Sequence, residues 1–383
     1  MSVAATEPQV PLFDLVAQHA PLHDEILDAW SRILRAGAFV SGAEVAAFEA
    51  EFAAACEVAH CVAVSSGTDA LVLALRALGV GPGDRVIVPA NTFFATAEAV
   101  SLVGAQPALV DCDPLTRTIS VPAAEYELRA RGAAGVIAVH LYGHPADVDA
   151  LAAVAAAHGA WVMEDAAQAH LARCRGRRVG GLGRIAALSF YPSKNLGATG
   201  EAGAVTTNDR SLADAVRALR HHGQRRPNRH ELIGCNARLG ELAAAALRVK
   251  LRHLEGWTRE RRRVAARYGA GLADAREIRL PYSAPWAEPV WHLYAVEVED
   301  RDGVRVRLQE MGIATGVHYP TPIHLQRAYT HLGYREGEFP DAERSAARTL
   351  SLPMFPGLSD AQVDRTVEAL REATEGEWRW SVR

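Results

Sequence analysis

A lysine, a carboxylate and a hydroxyl-rich turn, each set just beyond an apolar run, are the residues of this sequence best placed to do chemistry. Lys194 lies in Leu188-Ser189-Phe190-Tyr191-Pro192-Ser193-Lys194-Asn195, after an apolar run and a proline turn and ahead of the glycine-rich Gly197-Ala198-Thr199-Gly200-Glu201-Ala202-Gly203. A lysine held in a dry crevice has a lowered pKa and can act as an imine-forming amine, whereas its bland reading is a solvated surface residue. Asp165 closes the run Trp161-Val162-Met163-Glu164-Asp165, and Gln168 follows three residues on. A carboxylate in that position is costly to desolvate unless a cation meets it. A protonated ring nitrogen is such a cation, and the Gln168 amide could reach a second polar atom of the same ring; the alternative for Asp165 is a helix N-cap. Ser65-Ser66-Gly67-Thr68 joins another apolar run to a helix that stops at Gly79. Unpaired N–H groups at a helix start, the helix dipole and the Thr68 hydroxyl make a phosphate site, unless the serines and threonine are only caps.

These groups need a scaffold that gathers strand ends. Short β-rich runs at Cys61–Val64, Arg85–Val88, Ala108–Val110, Val136–His140, Trp161–Met163 and Ile185–Phe190 alternate with longer helical stretches. Such alternation predicts an α/β fold with a mostly parallel central sheet, in which ligands bind beyond the carboxyl ends of the strands. Helical spacing predicts two amphipathic helices at 23–35 and 44–57, and one long helix from Arg238 to Tyr268 that links two lobes. Strands at Trp291–Val298 and Ala314–His318, with a last helix entered through the capping box Ser359-Asp360-Ala361-Gln362, predict a smaller C-terminal α+β domain. The expected division is 1–250 for the large domain with its N-terminal helices and 251–383 for the small one.

At 383 residues and 49% apolar composition the chain can build a substantial core, and a formal net charge of −4 gives no global field for nucleic acid or an anionic membrane. Five dispersed cysteines without a C-x-x-C pair suggest neither a disulfide framework nor a zinc site, and no metal is expected. With no signal-like N-terminus and no long apolar run, a soluble cytoplasmic protein is expected.

A phosphate cradle, a carboxylate for a ring nitrogen and a lysine, in that chain order, are together what pyridoxal 5′-phosphate needs. From about Phe39 onward the sequence resembles the DegT/DnrJ/EryC1/StrS family of fold-type I pyridoxal-phosphate sugar aminotransferases. The likeness is carried by Ser66-Gly67-Thr68-Asp69-Ala70-Leu71, Thr92-Phe93-Phe94-Ala95-Thr96, His140-Leu141-Tyr142-Gly143, Glu164-Asp165-Ala166-Ala167-Gln168, Ser189-Phe190-Tyr191-Pro192-Ser193-Lys194 and His318-Tyr319-Pro320. The resemblance implies that Gly67 and Thr68 cradle the phosphate with Ser189, that Phe93 stacks on the ring, that Asp165 pairs with the ring nitrogen and that Gln168 lies near the ring hydroxyl. It implies that Lys194 is both the imine partner of the aldehyde and the base that moves a proton between substrate carbon and cofactor C4′, with pyridoxamine 5′-phosphate as the intermediate carrier. Asn236 is expected to reach a phosphate in the neighbouring subunit of a homodimer with shared sites; without the resemblance it would be a routine N-cap.

The implied reaction moves an amino group from an amino acid, by family usually L-glutamate, to a nucleotide-linked keto-deoxysugar in deoxyaminosugar and antibiotic biosynthesis. Tyr191-Pro192 before the lysine resembles enzymes acting at C3 of a dTDP-3-keto-6-deoxyhexose. A Lys-Tyr pair frequent in that branch is replaced here by Pro227-Asn228, and Arg225, Arg226 and Arg229 could hold the diphosphate instead or form a solvated loop. His318 and Tyr319 either face the sugar hydroxyls or are structural. Alternatives are amination at C4, a keto-cyclitol aminotransferase, an enzyme like 3-amino-5-hydroxybenzoate synthase, and a non-catalytic cofactor-binding regulator. A nucleic-acid-binding module built on the basic 220–230 run lacks a reader motif.

Overall fold

Apolar five-residue runs buried on both faces are central strands of a covered sheet, and the chain supplies seven. In the computed structural model, which describes residues 9–375, these are β1 (His60–Val64), β2 (Arg85–Pro89), β3 (Gln106–Val110), β4 (Gly135–Val139), β5 (Trp161–Asp165), β6 (Ile185–Ser189) and β7 (Gly203–Thr207). They pair in the order β1-β7-β6-β5-β4-β2-β3. β7 runs antiparallel to both β1 and β6, while the contacts from β6 through β5, β4 and β2 to β3 are parallel. Six of these strands answer to the predicted runs. β7 was not predicted, because Gly203-Ala204-Val205-Thr206-Thr207 directly continues a glycine-rich loop and carries little apolar bulk; its small residues suit the tight space between β1 and β6.

Register makes the sheet a mount for side chains. Val139 lies opposite Asp165, and Asp165 opposite Ala187, so β4 and β5 end level, β6 runs two residues farther to Ser189, and the residues leaving them share one crevice. Above the β1–β7 end, the N-terminal helices His23–Ala36 and Ala43–Ala55 pack on the helix Glu241–Leu251. Phe48 and Phe52 meet the Phe190 ring edge-on at 5.3 and 5.1 Å, which fixes the start of the loop bearing Lys194.

The predicted long helix is two helices, Glu241–Leu251 and Leu254–Gly271, broken at Arg252 and His253. Both break residues keep right-handed helical torsions, so apolar spacing runs on through a bend that redirects the chain. The first helix buries Ala244 and Leu247 beside Phe48; the second buries Val264 and Tyr268 in a separate cluster with Leu308, Leu352 and Leu370. In the C-terminal part, Tyr294–Glu297 pairs antiparallel with Thr349–Leu352. The predicted strand Ala314–His318 does not form. That segment makes single bridges instead, Ile313 with Val10 and Gly316 with Ser351, so its backbone groups are divided between two partners rather than one ladder. The capping box closes as expected, with Gln362 N donating to Ser359 Oγ at 3.2 Å and Ser359 N to Gln362 Oε1 at 3.0 Å. Among the described residues no helix is long and apolar enough to cross a membrane.

Candidate active site

A cavity of about 420 Å³ opens at the carboxyl ends of β4, β5 and β6, within the size range of small-molecule sites. Gly67, Thr68, Phe93, Asp165, Gln168, Ser189, Tyr191, Lys194 and His318 all line it. Of the predicted site residues, Asn236 alone does not.

At one end the helix Gly67–Ala77 begins. Ser66 is its N-cap, with Ser66 Oγ accepting from Asp69 N at 3.0 Å, while the N–H groups of Gly67 and Thr68 donate to no described residue. Gly67 is required by proximity: a Cβ there would lie 2.6 Å from the Cβ of Ser189. Ser66 is therefore a cap and Thr68 is not, and because capping uses the Asp69 amide it leaves the amides of Gly67 and Thr68 uncommitted for an anion.

At the other end Asp165 is buried at the tip of β5. No helix follows it, so the N-cap alternative falls; Asp165 Oδ1 accepts from Ala167 N at 3.2 Å in a tight turn. Its Oδ2 accepts from Thr96 Oγ1 at 2.7 Å, and Thr96 Oγ1 lies 2.8 Å from Thr92 Oγ1. Burial raises the Asp165 carboxyl, with the Thr96 hydrogen bond, the Ala167 amide and the Lys194 charge pulling the other way. Its neighbour Glu164 points to the opposite face, as alternation in a strand requires. There it accepts from Gly180 N, Leu182 N and Gly183 N, each at 2.8 Å, and from His140 Nε2 at 3.0 Å. Because Ala146 N donates to His140 Nδ1 at 3.0 Å, the proton of that ring sits on Nε2. Gln168 is oriented at both ends: Oε1 accepts from Tyr142 N at 2.6 Å and Nε2 donates to the Tyr319 hydroxyl at 3.1 Å.

Lys194 lies on the loop leaving β6, with Lys194 N donating to Tyr191 O at 2.8 Å. Phe190 closes that loop at its base, donating to Ala202 O at 2.8 Å and accepting from Ala198 N at 2.7 Å. Burial lowers the Lys194 ammonium to about 8, against the opposing pull of Asp165. Phe93 presents a half-exposed ring 5.2 Å from that of Tyr319. An aromatic face, a carboxylate, an amine and a helix N-terminus thus surround one space, and they fit pyridoxal phosphate: a flat cationic ring, a carbonyl and a phosphate.

Farther out, Tyr191 is half exposed at the mouth. His318 Nδ1 is 2.9 Å from Ser351 Oγ, and burial beside the Lys194 charge pushes its ring down to about 4, so it is neutral at physiological pH. Arg225, Arg226 and Arg229 stand on an exposed hairpin, Gln224–Arg226 with Arg229–His230, and none of them lines the cavity; Arg225 Nε is 3.3 Å from Glu231 Oε2. Asn236 is also exposed, and its Oδ1 accepts from Arg238 Nε at 3.0 Å. It is not an N-cap, because the following helix starts at Glu241 behind Gly240. Thr96, His292 and Phe13 belong to or support the site and were not singled out in the sequence. Thr96 could have been found from its place one helical turn beyond Thr92; Phe13 and His292 carry no local signal.

Fold and site together define a pyridoxal-phosphate-dependent aminotransferase of fold type I. Residues 21–371 match the model of the DegT/DnrJ/EryC1/StrS aminotransferase family, and the chain belongs to that family. The match begins ahead of Phe39, so the first amphipathic helix is part of the shared fold. The chain is 50% identical over 94% of its length to the erythromycin biosynthesis sensory transduction protein EryC1 of Saccharopolyspora erythraea, covering 99% of that protein. It is 48% identical over 98% of its length to the dTDP-3-amino-3,4,6-trideoxy-alpha-D-glucose transaminase of Streptomyces venezuelae, covering 99% of it. The crystal structure of S. venezuelae DesV in complex with a ketimine intermediate superposes with a TM-score of 0.94 at 47% identity, over 97% of this chain and 100% of that one.

Proposed function

We propose that this protein transfers an amino group from L-glutamate to C3 of a dTDP-linked 3-keto-6-deoxyhexose, as a homodimer whose sites are completed by Asn236 of the second copy. The observation that carries the reading is the meeting of Lys194 and Asp165 in one cavity whose far end is an uncommitted helix N-terminus. When bound, pyridoxal phosphate supplies a carbonyl that carries the amino group and a ring that takes up the electron pair left by a departing proton.

The chain's own residues do the rest. The amides of Gly67 and Thr68, with the hydroxyls of Thr68 and Ser189, hold the phosphate. Asp165 keeps a proton on the ring nitrogen, and the Thr92–Thr96 hydroxyl pair holds its carboxylate in line. Phe93 covers one ring face, and Gln168 meets the ring hydroxyl. Lys194 would hold the carbonyl carbon; displaced from it by the amine of glutamate, its own amine would remove the proton from the amino-bearing carbon and deliver it to C4′. In the second half-reaction it moves a proton the opposite way, onto C3 of the sugar. Neutral His318 and the Tyr191 hydroxyl are assigned to the sugar hydroxyls.

The name of the S. venezuelae relative, a 3-amino sugar transaminase, supports C3. Five free cysteines support residence in the reducing cytosol. Two domains are proposed, divided near residue 250, just ahead of the break at Arg252 and His253. The test is a comparison of dTDP-3-keto and dTDP-4-keto-6-deoxyhexoses as acceptors, with L-glutamate as donor. A preference of about 100-fold or more in kcat/KM for the 3-keto sugar is expected; a preference for the 4-keto sugar or a keto-cyclitol would overturn the assignment.

A further inference from the structure

Lys250 has no place in the reaction just described, yet it is fully buried, on the inner face of the helix Glu241–Leu251. Burying a lysine is unfavourable unless its ammonium is met, and among the described residues no carboxylate is paired with it. Its partners are dipoles: Nζ donates to the carbonyl of Gly197 and lies 2.6 Å from His19 Nε2. Burial brings the Lys250 ammonium down to about 8, and burial and the Lys250 charge together hold the His19 ring below its ordinary value, leaving a neutral nitrogen free to accept.

Gly197 is where the lysine-bearing turn closes on itself. A Cβ at Gly197 would lie 2.1 Å from the carbonyl oxygen of Pro192, so the backbone at 197 presses on the backbone at 192, with Lys194 between them. From the other side Asn195 Nδ2 donates to Val290 O at 3.0 Å, and Asn195 Oδ1 is 3.2 Å from His292 Nδ1. The turn is pinned at residue 195 by one partner set and at residue 197 by Lys250. His19 belongs to the N-terminal segment whose Phe13 lines the cavity, so the same ammonium ties two walls together.

We infer that Lys250 is a positioning residue for Lys194: with His19 it clamps the Gly197 carbonyl and thereby fixes the turn from Phe190 to Ala198 in the cavity. The inference rests on the proposed function only for the chemistry of Lys194, not for the clamp.

Lys250→Met and His19→Ala are the test variants, made in the full chain. The first keeps the apolar stem, one atom shorter, while removing the charge; the second removes only the outer partner and keeps the inference testable if the first fails to fold. Amide exchange is measured on the protein without added cofactor. The peptide spanning 190–198 is expected to exchange about 10-fold faster in Lys250→Met and more modestly faster in His19→Ala, with other core peptides unchanged. Trapping of pyridoxal phosphate on Lys194 by borohydride, read by peptide mass, is expected to slow about 10-fold, and kcat to fall with little change in the KM for glutamate. Unchanged exchange at 190–198 in both variants would overturn the clamp. Faster exchange with trapping at the wild-type rate would overturn the positioning role. If the wild type itself never took up pyridoxal phosphate, the functional reading would fail and the exchange result would still decide the clamp.

Discussion

Lys194 and Asp165 each change what the other can do. Burial lowers the lysine to about 8, so roughly a tenth of it is the free amine at pH 7, where an ordinary lysine is almost wholly charged. Labelling of Lys194 by an amine-reactive anhydride, followed across pH by peptide mass, should therefore rise with a midpoint near 8 rather than 10.5. Asp165 favours the charged lysine, so Asp165→Asn should move that midpoint lower; a midpoint that rises would contradict the pairing. Stability follows the same sign. A carboxyl whose folded pKa is raised costs stability once pH exceeds its unfolded pKa, so Asp165→Asn should melt higher than wild type at neutral pH when no cofactor is present. Both residues were legible in the sequence, because each follows an apolar run that must be a strand and so stands at a strand's end. Thr96 was not. Its role comes from one turn of helix laying its hydroxyl against a carboxylate 69 positions away.

Gly67 shows how an element start becomes a binding group. The helix Gly67–Ala77 comes so close to the end of β6 that an added methyl would sit 2.6 Å from the Ser189 Cβ. Gly67→Ala should push the helix start back, destabilising the protein by about 1–3 kcal/mol and weakening pyridoxal phosphate affinity about 10-fold or more. Denaturant melts and cofactor titration by fluorescence check both; unaltered affinity would mean that the phosphate lies elsewhere. The strands and their order along the chain were readable because each parallel strand is a self-contained apolar run. Elements defined by neighbours were not. β7 is recognisable only once β1 and β6 leave a narrow gap between them, and the break at Arg252 and His253 keeps helical torsions through the bend. The stretch 314–318 has strand-like residues, yet its partners lie on two different segments.

Over the whole molecule, nine of the ten predicted site residues meet in one cavity, and Asn236 is exposed and lines no part of it. A role for Asn236 in another copy is implied only by family resemblance, since nothing in a single sequence marks a residue as serving another copy. If the sites are shared, Lys194→Ala and Asn236→Ala proteins, each weak alone, should regain activity when mixed and allowed to exchange subunits, because some mixed dimers carry one intact site. Mixing that leaves activity at the average of the two would mean that Asn236 does not complete the site of a second copy.

The central claim is that amino transfer runs through Lys194. The direct measurement is the yield of aminated dTDP-sugar and 2-oxoglutarate from protein reconstituted with pyridoxal phosphate, L-glutamate and the dTDP-3-keto-6-deoxyhexose, alongside the visible absorbance of the cofactor on the protein. The wild type should show the yellow band and form the two products in equal amounts. Lys194→Ala should lose both the band and turnover. A Lys194→Ala protein that keeps the band and forms product at the wild-type rate would contradict the account.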